Sequence, residues 1–274
     1  LTETVALSAA GLEDRVFVVT GGTRGIGRAV VLTLAAAGAK VLFQGRDLEA
    51  ADEVIAATGG EARFVPGDLY DPEAMTALVA TAYDEHGRLD GAVGNGMRSE
   101  PKPKLFLEMR PEDFGSYFHH GAVPKLYLAQ AAARRMAEAG YGKIVWVTSD
   151  AGRQPTTSET MIGTTAAALI FATRALAKEL VRDGIRVNTV AITLTEGTPG
   201  FQRIEARRAA RADGVGTESP QLLSAFDKLT ARMPFGLGQP QEVADLVSFL
   251  LAPVSDGITG ATLSVNRGAY FPAY

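Results

Sequence analysis

Short apolar runs alternate with amphipathic stretches along most of the chain. Val16-Phe17-Val18-Val19 is β-branched and aromatic without interruption, as a strand buried on both faces reads. Gly25 to Gly38 follows, with Ile26, Val30 and Leu34 at helical spacing and a glycine at the stop. The alternation continues with Val41 to Phe43 as a strand, then a helix capped by Asp47 and running to Ala57. Arg63 to Val65 is the third strand, and Asp71-Pro72-Glu73 starts a helix with proline in its first turn. Leu89 to Val93 is a fourth strand, Pro111 to Ala139 one long helical region, and Lys143 to Thr148 a fifth strand. A helix over Thr160 to Val181 ends near Gly184. Ile185 to Val190 is a sixth strand, Gln241 to Leu251 a helix, and Ala261 to Val265 the last strand. Strict alternation predicts an α/β fold, a doubly wound parallel sheet of about seven strands with helices on both faces. The segment 195–234 breaks the rhythm. It is polar and glycine-bearing, and it is expected to be an irregular lid. No repeat or linker divides the chain, so residues 12–274 are expected to form one domain behind an extension at 1–11.

Composition narrows the chemistry. Of the 274 residues, 46% are hydrophobic, enough for one large core. The net charge of −4 argues against nucleic acid or an anionic membrane as partner. There is no cysteine, which excludes disulfides and thiolate catalysis. The three histidines, His86, His119 and His120, have no metal-ligand spacing, and no metal is expected. Residues 1–10 lack the basic start and long apolar run of a secretory signal. The longest apolar stretch, near Ala166 to Ala172, falls short of the ~20 residues of a membrane span. A cytoplasmic location is the expectation.

The candidate chemistry begins at Thr20-Gly21-Gly22-Thr23-Arg24-Gly25-Ile26-Gly27, between an expected strand and an expected helix. Glycines there let the backbone turn tightly against a pyrophosphate, and the helix N-terminus supplies free N–H groups. Gly21, Thr23, Arg24, Gly25, Ile26 and Gly27 are the candidate cradle. A site selective for NAD carries a carboxylate at the end of the second strand, on the ribose 2′-hydroxyl. Here Gln44-Gly45-Arg46 stands in that place. Arg24 and Arg46, with no carboxylate at the strand end, favour the 2′-phosphate of NADP(H), with NAD(H) as the alternative. The bland counterpart is two solvated arginines, with Asp47 paired to Arg46.

With these motifs in place the chain resembles the short-chain dehydrogenase/reductase family, nearest to its 3-oxoacyl carrier-protein reductase-like members. The resemblance spans residues 12–268 and implies a single-domain Rossmann fold. Asp68-Leu69 matches the family's adenine-contacting pair. Gly94-Asn95-Gly96-Met97 occupies its Asn-Asn-Ala-Gly segment, adding Asn95 and Gly96 to the cofactor candidates. Gly142 to Gly152, Arg186-Val187-Asn188, Gly238 to Ala244 and Ile258-Thr259-Gly260 match further family segments. The family's catalytic set is Asn, Ser, Tyr and Lys. Ser149 falls on the serine. The tyrosine position holds Ile162, the lysine position Ala166, and the asparagine position Gly121. After the sixth strand the family's Pro-Gly reads Ile192-Thr193. In the family the tyrosine passes the substrate proton, and the lysine lowers its pKa and holds the nicotinamide ribose. None of the seven tyrosines is followed by lysine at the family spacing. The family also implies assembly as homotetramers or homodimers through the long helices.

Ser149 therefore stands as the retained catalytic residue, with His120, Tyr117 and Glu159 as substitute proton donors. Each has a plainer counterpart: a partly exposed helix histidine, a core tyrosine, a solvated loop carboxylate. Asp150, beside Ser149, is ambiguous. Phe201, Ile204, Leu222, Leu223, Phe226, Leu229, Met233 and Phe235 either line an apolar substrate pocket or pack the lid. Arg203, Arg207, Arg208 and Arg211 form a basic stripe, either solvated or facing a phosphate. The leading expectation is an NADP(H)-dependent oxidoreductase on a small carbonyl or hydroxyl compound with an atypical acid. Two alternatives stand beside it: a catalytically degenerate cofactor-binding subunit, as a pseudoenzyme or a partner of an active homologue, and a non-redox cyclase or isomerase.

Overall fold

Period-two alternation along the first strand, β1 (Val16–Thr20), assigns the two faces of the sheet. Val16 and Val18 pack with Met75, Leu78, Leu128 and Trp146. Phe17 and Val19 pack on the other side with Val30, Leu34, Val247 and Leu251. Full burial of such side chains stabilises by about 1.5–3 kcal/mol each. The computed structural model describes residues 11–97, 102–213 and 220–271. Six further strands follow: β2 (Lys40–Gly45), β3 (Ala62–Pro66), β4 (Gly91–Gly94), β5 (Gly142–Ser149), β6 (Ile185–Ile192) and β7 (Thr262–Val265). They form one parallel sheet of 7 strands in the order β3-β2-β1-β4-β5-β6-β7. The order reverses between β1 and β4. Crevices at such switch points, outside the C-terminal strand ends, are where open α/β sheets bind ligands.

The helices are α1 (Gly25–Ala36), α2 (Leu48–Ala57), α3 (Pro72–His86), α4 (Asp113–Gly121), α5 (Val123–Ala139), α6 (Thr160–Leu180), α7 (Pro199–Ala212), α8 (Pro220–Ala231) and α9 (Pro240–Leu251). The expected caps are present. Asp47 accepts from the Ala50 amide at 3.0 Å, and Asp71 from the Glu73 amide at 2.9 Å. Trp146 anchors α6 to the sheet, its indole N–H donating to the hydroxyls of Thr173 at 2.8 Å and Thr189 at 2.6 Å. By length and composition alone Thr160–Asp183 is apolar enough to cross a membrane. In the fold one face of it, with Gly163, Ala166, Leu169 and Thr173, is buried against the protein.

Two expectations are corrected. The long helix over Pro111 to Ala139 is two helices, broken at Ala122. Pro124 has no N–H to give to His120, and its ring crowds that carbonyl. The freed His120 carbonyl instead accepts from the Tyr70 hydroxyl at 3.3 Å. The lid is not irregular, since α7 and α8 fill most of it. Ile204 and Phe226, one from each, pack together with Leu194. Proline opens both helices, at the position where its missing donor costs nothing.

Candidate active site

The glycine turn is closed so tightly that only glycine fits. Gly21 and Gly25 take left-handed φ values of 61° and 53°. A Cβ on Gly27 would sit 2.0 Å from the Gly21 carbonyl oxygen and 2.6 Å from Asn95 Nδ2. Asn95 clamps the turn from β4. Its Nδ2 donates to the Gly21 carbonyl at 3.2 Å, and its amide to Thr20 Oγ1 at 3.0 Å. Arg24 at the α1 N-cap makes no side-chain cap, and the first turn carries no acid. Amides and helix dipole are thus left for an anion, which suits a pyrophosphate. The start of α7 lies alongside, since a Cβ on Gly25 would be 3.3 Å from Pro199 Cδ.

The turn opens into a cleft of about 650 Å³. Gly21, Thr23, Arg24, Ile26, Arg46, Leu69, Asn95 and Gly96 line it. Gly25 and Gly27 form the turn behind that wall, and Asp68 stands back, accepting from the Tyr70 amide at 3.1 Å. The arginine pairing differs from the bland expectation. Arg24 pairs with Asp47, and Arg46 approaches Asp68 at 3.7 Å. The Ala50 amide, with Arg24, holds the Asp47 carboxyl below its ordinary range. Both arginines remain mostly exposed. Gln44 is buried at the same end. Its Nε2 reaches the Ala74 carbonyl at 3.3 Å, while its Oε1 has no protein partner among the described residues. A buried unpaired acceptor on the cleft wall is a place for a ligand donor.

The other end of the cleft collects Ser149, His120, Tyr117 and Glu159 together with Ile162 and Ala166. Ser149 Oγ accepts from the Ala151 amide at 3.1 Å, which leaves its own proton for a ligand. Tyr117 is buried and donates to the Lys102 carbonyl at 2.6 Å. The His120 ring packs edge-on against Tyr70 at 5.0 Å. Glu159 is the N-cap residue of α6, yet its side chain makes no cap bond. It follows Ser158, which is buried and held at φ 70°, a conformation rare for a residue with a Cβ. Glu159, Ile162 and Ala166 share one helix face on the cleft wall. Burial pushes the Glu159 carboxyl up to about 7. Asp150 is not in the cleft. It is fully buried and accepts from Arg153 at 2.8 Å, Ser264 at 2.8 Å and Asn266 at 2.9 Å, tying the serine turn to β7 and the residues beyond it.

The lid supplies the apolar wall. Phe201, Ile204, Phe226 and Leu229 line the cleft, whereas Met233 packs with Ala269 and Phe235 is exposed. Arg203 and Arg207 also face the cleft, and Arg208 pairs with Glu205 and Asp227. The side chains of Leu222, Leu223 and Arg211, and most of the 1–11 extension, lie outside the described residues.

The sequence reading missed Lys125, which the structure places on the cleft wall, 6% exposed. A signal for it existed. Lys125 falls in the buried stripe of α5 with Leu128, Ala129, Ala132 and Met136, where a lysine is out of place. Thr193 was also missed. Its buried hydroxyl on the cleft wall has no partner among the described residues.

Residues 21–270 match the family model described as Enoyl-(Acyl carrier protein) reductase. An acetoacetyl-CoA reductase of Synechocystis sp. is 35% identical over 260 residues, covering 93% of this chain and 96% of the relative. The 3-oxoacyl-[acyl-carrier-protein] reductase FabG of Vibrio cholerae is 30% identical, covering 94% and 98%. A solved structure described as a short chain dehydrogenase/reductase family protein superposes with a TM-score of 0.76 at 31% identity, covering 94% and 98%.

Proposed function

This chain belongs to the short-chain dehydrogenase/reductase family of oxidoreductases, and we propose from that premise that it binds NADP(H) and interconverts a carbonyl and a hydroxyl group with an acid other than the family's tyrosine. The observation that carries this reading is one cleft joining the glycine cradle to Ser149 and to a protonatable carboxyl. Gly21, Thr23, Arg24, Ile26, Asn95 and Gly96 would hold the dinucleotide, with Arg24 and Arg46 toward the 2′-phosphate. NADPH supplies the hydride when bound. Reduction of a carbonyl also needs a proton at the oxygen. Ser149 polarises that oxygen with its free O–H. Glu159 gives the proton, because a carboxyl raised to about 7 is still substantially protonated at neutral pH. Ile162 and Ala166 contribute neither a proton nor a ribose contact. Phe201, Ile204 and Phe226 give the substrate an apolar wall. The relatives' names speak of 3-oxoacyl and acetoacetyl compounds, which supports a carbonyl substrate here. Exposed Leu126 on α5 and Phe171 on α6 fit a homo-oligomer assembled through those helices.

A second reading rests on Ile162 and Ala166 in the same cleft: a subunit that binds cofactor without turning over. The two part in one experiment. NADPH oxidation is followed over a panel of 3-oxoacyl thioesters and simple ketones. On the first reading the isolated chain turns over, and Ser149→Ala lowers kcat about 10²-fold or more. Turnover insensitive to Ser149→Ala refutes the mechanism, and cofactor binding with no turnover on any substrate favours the second reading.

A further inference from the structure

The helix break at Ala122, just before Pro124, has a chemical consequence. It frees the Gly121 carbonyl, the last of α4, from its usual amide, because the Lys125 amide bonds to Ala122 instead at 3.1 Å. Lys125 then folds its own side chain back. Its ammonium donates to the Gly121 carbonyl at 3.1 Å and to the Gly96 carbonyl at 3.1 Å. The stem runs under the end of β4, where a Cβ on Gly94 would stand 3.3 Å from both Lys125 Cγ and Trp146 Cβ. The head is thus bracketed. On one side Gly96 abuts the glycine turn, since a Cβ on Gly96 would be 3.3 Å from Gly21 Cα. On the other a Cβ on Gly121 would meet Thr165 Cγ2 at 2.6 Å, one residue from Ala166. The head therefore lies between the glycine turn and the α6 segment that carries Ala166.

An ammonium has three donors, and two are taken here by carbonyls. Among the described residues no carboxylate pairs with this one. A cation so deeply buried without a counter-charge is costly to keep, and desolvation holds it down to about 8. The C-terminal dipole of α4 offsets part of that cost. The side chain lines the cleft, and the two carbonyls leave one of its three donors for a ligand.

We propose that Lys125 is a cofactor-contacting residue whose third N–H donates to a ribose hydroxyl on the nicotinamide side of the bound dinucleotide. A lysine from α5 thereby takes the part that the family gives to the lysine of α6, at the position here occupied by Ala166. The proposal rests on the dinucleotide-binding reading above. Two ligands separate the failure of one from the failure of the other, with no substrate present. NADPH reaches the nicotinamide side, whereas adenosine 2′,5′-bisphosphate occupies the adenosine end alone. Calorimetric titration of the wild type should show both binding. Lys125→Met should weaken NADPH about 10-fold or more, the loss of a charge-assisted hydrogen bond, and leave the bisphosphate within twofold. Lys125→Gln, a neutral donor, should fall between. If Lys125→Met binds the bisphosphate normally and NADPH as tightly as the wild type, Lys125 has no cofactor contact and the proposal is overturned. Should Lys125→Met lose the bisphosphate too, its fold is disturbed and Lys125→Gln decides on the same criterion. A wild type that binds neither ligand fails at the dinucleotide reading itself.

Discussion

Glu159→Gln should make the protein more stable at neutral pH and not at acid pH. Glu159 caps nothing and faces the cleft from the N-cap position of α6, and burial raises its carboxyl from 4.5 to about 7. Below pH 4.5 the group is protonated in both folded and unfolded chains and contributes no difference. Between 4.5 and 7 the folded chain holds a proton that the unfolded chain has released, so stability falls as pH rises. The displacement corresponds to about 3 kcal/mol at full size. Water entering the cleft reduces this, and about 1–3 kcal/mol is the expected range. Urea unfolding of wild type and Glu159→Gln from pH 4 to 8 measures it, because the other titrating groups cancel in the difference. The glutamine variant should gain on the wild type through that window and then run parallel to it. Lys125 does not overlap. Its displacement acts above pH 8 with the opposite slope, the unfolded chain there binding the extra proton. A difference that stays flat from pH 4 to 8 would mean an ordinary solvated carboxyl, and Glu159 would lose its claim as the acid.

Gly27→Ala places a Cβ 2.0 Å from the Gly21 carbonyl oxygen, where backbone must move. NADPH affinity should fall by about 10²-fold or more for a displaced cradle, and unchanged affinity in calorimetry would show that the turn does not form the site. Arg46→Ala removes a mostly exposed guanidinium at the end of β2. It should weaken NADPH about 10-fold while leaving NADH within twofold; equal loss for both would place Arg46 away from a 2′-phosphate.

Much of the fold is legible because its signals are local. The β-branched run at Val16 to Val19 and the caps at Asp47 and Asp71 act within a few residues, and β1, α2 and α3 stand where they point. The misread regions have physical reasons. Pro124 sits in the first turn of α5, where proline is tolerated, so periodicity ran through the break. Residues of α7 alternate Arg and Ala with few apolar positions, and its buried contact is with α8 rather than the sheet. The intrinsic helix propensity of that composition was the better guide. At the site, the spacing from Ser149 to Ile162 and Ala166 was readable, and so were the three substitute donors that share the cleft. The burial of Lys125 is readable from the apolar stripe of α5; its role is not, because that comes from a carbonyl freed by a neighbouring helix break and from Gly96 across the crevice. No spacing rule along the chain joins those groups.

We propose the cradle at Gly21 to Gly27 as a working dinucleotide site opening on Ser149. Titration of the purified, cofactor-stripped protein with NADPH and with NADH tests it most directly. Both should bind saturably, with NADPH the tighter. Failure of both to bind at millimolar concentration would contradict it and leave the glycine turn as a feature of the fold alone.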